Sequence, residues 1–125
     1  MTEISEEAVV DIPALLTTLR KCQFTVASER DLQEALAKVL TDSGIPFERE
    51  FVASRSDRFD FLLPGGVVIE VKTQGSKNEC LRQIARYLER ADVSAAIAVG
   101  TRHWLASMPE SLCGKPVHSL YLWSF

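Results

Sequence analysis

Asp60, Glu70 and Lys72 are the residues whose types and spacing could do chemistry together. They sit in two strand-like runs, 58–63 and 67–72, separated by the turn signal Pro64-Gly65-Gly66. Facing residues of a hairpin have numbers with a constant sum, and a loop at 64–66 makes that sum 130. Phe59 then faces Val71 and Phe61 faces Ile69 on one side of the ribbon, while Asp60 faces Glu70 and Leu62 faces Val68 on the other. Two carboxylates about 5 Å apart repel by roughly 3 kcal/mol at an effective dielectric of about 20, a large share of a total stability of about 5–15 kcal/mol. A divalent cation held by both would offset that repulsion, and hard oxygen donors with open water positions suit Mg²⁺. Lys72 emerges on the same face as Glu70 roughly 7 Å away, with Arg58 opposite it, so a base and a phosphate binder stand beside the acids. Two other readings stay open. A two-residue Gly65-Gly66 turn moves the sum to 131 and sets Asp60 against Val71, and an acid pair flanked by Arg58 and Lys72 can also be a surface ion network.

Positioning these side chains requires a strand-rich centre with helices around it. Ser28 followed by Glu29-Arg30-Asp31 reads as an N-cap with an acidic first turn, and Leu32, Leu36, Val39 and Leu40 recur at helical spacing. Gly44 and Ile45-Pro46 end that helix near 42. A further strand falls at 47–53, ahead of the hairpin. Ser76 caps a second helix to about 90, with Leu81, Ile84, Ala85 and Leu88 as its buried stripe. Val93-Ser-Ala-Ala-Ile-Ala-Val99 is a buried strand closed by Gly100, and a last strand follows Pro116 at 117–123. Residues 1–27 are an N-terminal helical elaboration: Asp11 caps, Pro13 occupies the first turn, and Leu15, Leu16 and Leu19 share a side. Residues 28–125 form the core of a single domain.

Composition narrows the classes. The 125 residues are 46% apolar and 25% charged, an ordinary globular balance that argues against disordered, collagen-like and membrane-spanning chains. A net charge of −3 leaves no global positive field, so any hold on a polyanion must use a local patch. Cys22, Cys80 and Cys113 form no C-x-x-C pair and suggest neither a disulfide framework nor a zinc site. The acidic start lacks the features of a secretory signal, and no apolar run approaches 18 residues, so the expected location is cytoplasmic, away from membranes.

Asp60, the triplet Glu70-Val71-Lys72 after a short turn, and a preceding helix bearing Glu29 resemble the PD-(D/E)XK nuclease superfamily. Gln83-Ile-Ala-Arg-Tyr87 is similar to the Q-x-x-x-Y helix motif of its RecB-like branch. The resemblance spans residues 28–123. It implies an α/β fold with a restriction-endonuclease-like αβββαβ core, a central mixed sheet flanked by helices. It also implies Mg²⁺, with Mn²⁺ as a substitute, held by Asp60, Glu70 and the Val71 carbonyl. Lys72 would orient or deprotonate the attacking water and stabilise developing phosphate charge. Glu29 would complete a catalytic set of Glu29, Asp60, Glu70 and Lys72; it lies on the helix face of Leu32, Leu36 and Val39, although a first-turn carboxylate also simply favours the helix dipole. Arg58 stands where many RecB-like sequences carry glycine, and no Pro precedes Asp60. Three scattered cysteines do not supply the four ligands of the iron–sulphur cluster that some relatives hold.

On the second helix, Gln83 and Tyr87 fall between the buried stripe and an outer row of Arg82, Arg86 and Arg90. With Arg58, the residues Arg82, Gln83, Arg86 and Tyr87 are the candidate nucleic-acid contacts, the arginines on phosphates and Tyr87 on a base or sugar. A solvated face paired to Glu79 and Glu89 is the other reading. His103 and His118 lack metal-ligand spacing, no phosphate-binding glycine loop is present, and Trp104 and Trp123 read as core or interface area. The expected function is a metal-dependent nuclease hydrolysing phosphodiester bonds of DNA, in recombination, repair or phage DNA processing, with RNA left open as substrate. The alternative is a non-catalytic module that binds nucleic acid or protein. Cutting both strands of a duplex from a single small site would be easiest for a homodimer.

Overall fold

Three side-chain caps start the three helices in the computed structural model, which describes residues 9–24 and 28–122. Asp11 accepts from the Ala14 amide at the head of α1 (Ile12–Lys21), Ser28 from Asp31 at α2 (Glu29–Asp42), and Ser76 from Glu79 at α3 (Lys77–Leu88). Each satisfies one of the amides a helix leaves unpaired at its start. The acidic segment at 1–7, and Trp123 with the far end of the expected last strand, lie outside the described residues.

The strands are β1 (Glu48–Val52), β2 (Arg58–Leu63), β3 (Val67–Lys72), β4 (Ala95–Gly100), β5 (Ser111–Leu112) and β6 (Lys115–Tyr121). They form one sheet in the order β1-β2-β3-β4-β6-β5. The β1–β2–β3 ribbons are antiparallel, β3–β4–β6 are parallel, and β5 returns antiparallel on β6. The protein is therefore α/β with a six-stranded mixed sheet, and α2 through β4 run in the expected αβββαβ order. β5 and a 3₁₀ turn at His103–Ser107 are additions, and the last strand begins two residues earlier than its sequence pattern suggested.

Helices cover both faces of the sheet, which explains why the central strands β3 and β4 read as nearly unbroken apolar runs. On one face, Leu15, Leu16 and Leu19 of α1 and Leu32, Leu36 and Leu40 of α2 pack on Phe61, Ile69, Ile97 and Val99. Burying each such side chain contributes about 1.5–3 kcal/mol. On the other face, Ile84, Tyr87 and Leu88 of α3, with Trp104 and Leu105 of the 3₁₀ turn, pack on Val68, Ala96 and Ala98. Leu81 and Ala85, expected in the α3 stripe, are half-buried; Cys80 and Tyr87 take those places. Among the described residues, no helix is long and apolar enough to cross a membrane.

The hairpin arithmetic holds for three pairs, Leu63↔Val67, Leu62↔Val68 and Phe61↔Ile69, and there the ladder stops. Beyond it β2 stays with β1 as far as Arg58↔Val52, while β3 stays with β4 as far as Lys72↔Gly100. The sheet forks. Arg58 therefore lies opposite Val52, not opposite Lys72. At the far branch Gly100 packs so tightly that a Cβ there would come within 1.8 Å of the Lys72 carbonyl oxygen, so only glycine fits beside the lysine's backbone.

Candidate active site

The fork leaves main-chain amides without strand partners, and the two carboxylates take them. The Val71 amide donates to Asp60 Oδ2 at 2.7 Å, and the Asp60 amide donates to Glu70 Oε2 at 2.8 Å. Asp60 and Glu70 thus meet, but as cross-strand caps of each other's backbone and not as a rung of the ladder. These two side-chain acceptors replace the missing rungs, and where the carboxyl is ionised the bond is charge-assisted, roughly twice as strong as a neutral one.

The same point breaks the alternation of β2. Phe61 and Leu63 join the core under α1 and α2, whereas Phe59, two residues from Phe61, joins the core under α3. A regular strand would keep Phe59 and Phe61 on one face. Its neighbour β1 is irregular at the matching position, where Glu50 has φ 50°, a left-handed conformation uncommon outside glycine. The expected pairing of Phe59 with Val71 is therefore corrected. Phe59 instead sits edge-on to Tyr87 with ring centroids 4.8 Å apart and stacks on Phe51 at 6.0 Å.

α3 ties the acids to the lysine. The Tyr87 hydroxyl lies 2.9 Å from the Arg58 carbonyl and 3.3 Å from Glu70 Oε1, the two acceptors for its one proton, and it accepts from Gln83 Nε2 at 2.9 Å. Gln83 Oε1 in turn accepts from the Lys72 ammonium. Glu70, Tyr87, Gln83 and Lys72 are one hydrogen-bonded chain, and the i, i+4 spacing of Gln83 and Tyr87 places both on the helix face turned to the strand. Tyr87 is 1% exposed, so its ring has no free face for a base; this corrects the expectation that it contacts nucleic acid. Gln83 is half-buried and engaged at both ends. Both hold neighbouring groups in place through these bonds.

The electrostatics follow from burial and crowding. Burial pushes the Glu70 carboxyl up to about 8; the Asp60 charge adds to this, while the Asp60 amide, Lys72 and Tyr87 pull it back. Asp60 is raised as well, by burial first, with the Val71 amide opposing and the charges of Glu29 and Glu50 adding. Glu50 is a neighbour the sequence reading missed: it lies between the rungs Arg49↔Phe61 and Phe51↔Phe59, facing Asp60. Glu29 is exposed in the first turn of α2, and with Glu50 it lines an open cleft of about 550 Å³.

The chain matches no protein-family model, no curated protein and no solved structure.

Among the described residues, no group of three or more His, Cys, Asp or Glu side chains is arranged to hold a metal ion. What the fold does bring together is two carboxylates. Mg²⁺ keeps several of its waters and is commonly held by one or two carboxylates, so Asp60 and Glu70 suit that ion without a third acidic ligand. In a strand a residue's N–H and C=O point to the same neighbour, so the Val71 carbonyl opens on the same gap as its amide. Of the predicted nucleic-acid contacts, Arg58 and Arg82 are exposed. Arg86 is paired to Asp57 at 2.6 Å, and Arg90 is paired to Asp92 at 3.1 Å, so neither pairs with Glu79 or Glu89. Cys80 is buried beneath the site, and burial pushes its thiol up to about 11.

Proposed function

We propose that this protein is a metal-dependent nuclease of the restriction-endonuclease-like PD-(D/E)XK type, hydrolysing phosphodiester bonds of DNA. One observation carries the reading: Asp60 and Glu70 converge where β2 and β3 part, and α3 holds the Lys72 ammonium in the same hydrogen-bonded chain. The chemistry lies in this site and not in the fold, which hosts no activity by itself.

Asp60, Glu70 and the Val71 carbonyl would hold Mg²⁺ or Mn²⁺. When bound, such an ion supplies a more acidic water and a counter-charge for phosphate. The chain's own residues do the rest. Lys72 donates to a phosphate oxygen or the attacking water, and Gln83 keeps its ammonium from wandering. Tyr87 braces Glu70 against β2 through the Arg58 carbonyl. Arg58, Arg82 and Arg86 offer cations to the flanking backbone on an otherwise acidic molecule. The test is labelled single-stranded, duplex and branched DNA, with an RNA control, incubated with Mg²⁺, Mn²⁺ or chelator. Cleavage should need the metal and fall to background in Glu70→Ala; cleavage that persists in chelator or in that variant rejects the reading.

One observation favours a second reading, a non-catalytic nucleic-acid or protein binding module: each carboxyl already has a main-chain amide as a hydrogen-bond partner without a cation. Such a module would show no rise in melting temperature with Mg²⁺. A nuclease of this size with one site would cut both strands of a duplex as a twofold dimer. Sedimentation should then give about twice the 13.9 kDa of one chain; a monomer throughout the working range removes the dimer and leaves single-strand cleavage.

A further inference from the structure

A cleft of about 230 Å³ opens between β3 and α3, with Lys72, Gln83 and Arg86 on its wall. Arg86 enters it already oriented. Its Nε donates to Asp57 Oδ1 at 2.6 Å, and Asp57 is buried, 6% exposed, with its own amide donating to Ser54 Oγ at 3.1 Å. The guanidinium carbon lies 5.7 Å from the Tyr87 ring centroid. One nitrogen of the fork is thus fixed by a carboxylate and the group is braced by a ring, while the side chain stays 48% exposed. The two terminal nitrogens carry four further donors in the fixed geometry that grips a phosphate with two bonds. Lys72 likewise gives Gln83 only one of its three donors. The cleft's one carboxylate is Glu79, whose Oε1 accepts from Ser76 Oγ at 3.0 Å. With Asp57 on Arg86 and Glu79 at the rim, cations and carboxylates balance, so an anion is drawn by the aimed donors of Arg86 and Lys72 and not by an excess of charge.

We infer that this cleft binds a second backbone phosphate of the nucleic acid, next to the one under attack, and that Asp57 is the positioning residue that aims Arg86 at it. The inference rests on the nucleic-acid reading above and adds to it a subsite and a residue outside the acid–lysine set. A loop carboxylate fixed beneath an arginine removes rotamer freedom before binding, so less is lost when the phosphate arrives.

The experiment reads binding and needs no cleavage. A fluorescein-labelled five-nucleotide oligothymidylate is titrated in chelator, over a salt series, against the native chain, Arg86→Gln, Asp57→Asn, the double variant and Glu79→Gln. Arg86→Gln should weaken binding about tenfold and lower the slope of log affinity on log salt by about 0.7, one single-strand phosphate contact. Asp57→Asn should weaken binding in the native background and add nothing in Arg86→Gln, because the two act as a unit. Glu79→Gln, on the exposed start of α3, should tighten binding, an effect that a purely structural role would not produce. An unchanged salt slope in Arg86→Gln overturns the subsite, and additive effects of Asp57→Asn and Arg86→Gln overturn the role given to Asp57. Inorganic phosphate should displace the oligonucleotide from the native chain; phosphate binding through Arg86 without any oligonucleotide binding makes the ligand a free phosphate and overturns the inference. A native chain that binds as described but cleaves no substrate rejects the nuclease reading and leaves the subsite standing.

Discussion

Metal-free protein carrying Glu70→Gln is expected to melt several degrees above the native chain at pH 8 and to show no metal-dependent cleavage. Glu70 is 2% exposed, and burial, reinforced by the Asp60 charge, pushes its carboxyl from an ordinary 4.5 up to about 8. Between those values the folded chain holds a proton that the unfolded chain has released, so stability falls as pH rises. The contribution is complete below about pH 4.5 and is lost as pH passes through 8. Asp60 is raised too and acts with the same sign. At about 1.4 kcal/mol per unit, the loss is on the order of a few kcal/mol across that window, and 1 kcal/mol moves the melting temperature of a domain this size by a few degrees. Glutamine removes the titration and keeps the essential bond, since its Oε1 can accept from the Asp60 amide while its Nε2 faces Tyr87. Mg²⁺ should reverse the picture: the native chain gains stability, most strongly at pH 8 where the ligand is ionised, and the variant gains none. Melting curves at pH 5, 6, 7 and 8, with Mg²⁺ and with chelator, provide the check. A native chain that grows more stable from pH 5 to pH 8 in chelator, in parallel with the variant, would sink the prediction.

The sequence made the hairpin legible because Pro64-Gly65-Gly66 sets the loop and Phe61 and Leu63 need apolar partners; those local constraints fix the register. It did not reveal that the ladder would end one rung before the acids. Pairing arithmetic extends a ladder without limit, whereas a carboxylate beside a free amide competes with the next rung, and here it wins at Asp60 and again at Glu70. The outcome reaches Phe59, which leaves its expected face for the core under α3. Tyr87 was misplaced for a related reason. Its position on the helix put it at the edge of the apolar stripe, but a hydroxyl that finds Arg58 and Glu70 can be buried completely. Asp57 and Glu50 had no local signature at all. One acquires its role from Arg86, 29 residues away along the chain, and the other from a left-handed kink that nothing in its neighbours' types demands. The helices were the easier half, because Asp11, Ser28 and Ser76 each announce a start by residue type alone.

Lys72→Met is expected to lower kcat on DNA by about 100- to 1000-fold while the chain stays folded, the size of loss found when one preorganised donor to developing charge is removed. Methionine matches the stem of lysine and can lie along the same path, so the loss reports the ammonium and not the packing. Lys72→Arg should not restore the rate. Gln83 Oε1 receives a single compact ammonium here, and a broader planar fork would displace it. Gln83→Leu tests the support separately. It frees the ammonium and leaves the Tyr87 hydroxyl without the donor that lies 2.9 Å away, so kcat should fall about tenfold with KM little changed. That split separates a positioning residue from one that touches substrate, since loss of a substrate contact would raise KM. Steady-state kinetics on one oligonucleotide, with melting temperatures to establish folding, measure all three variants together. A rise in KM in Gln83→Leu would put the glutamine itself on the substrate, and full activity in Lys72→Met would leave Asp60 and Glu70 without the cation that makes them a hydrolytic site.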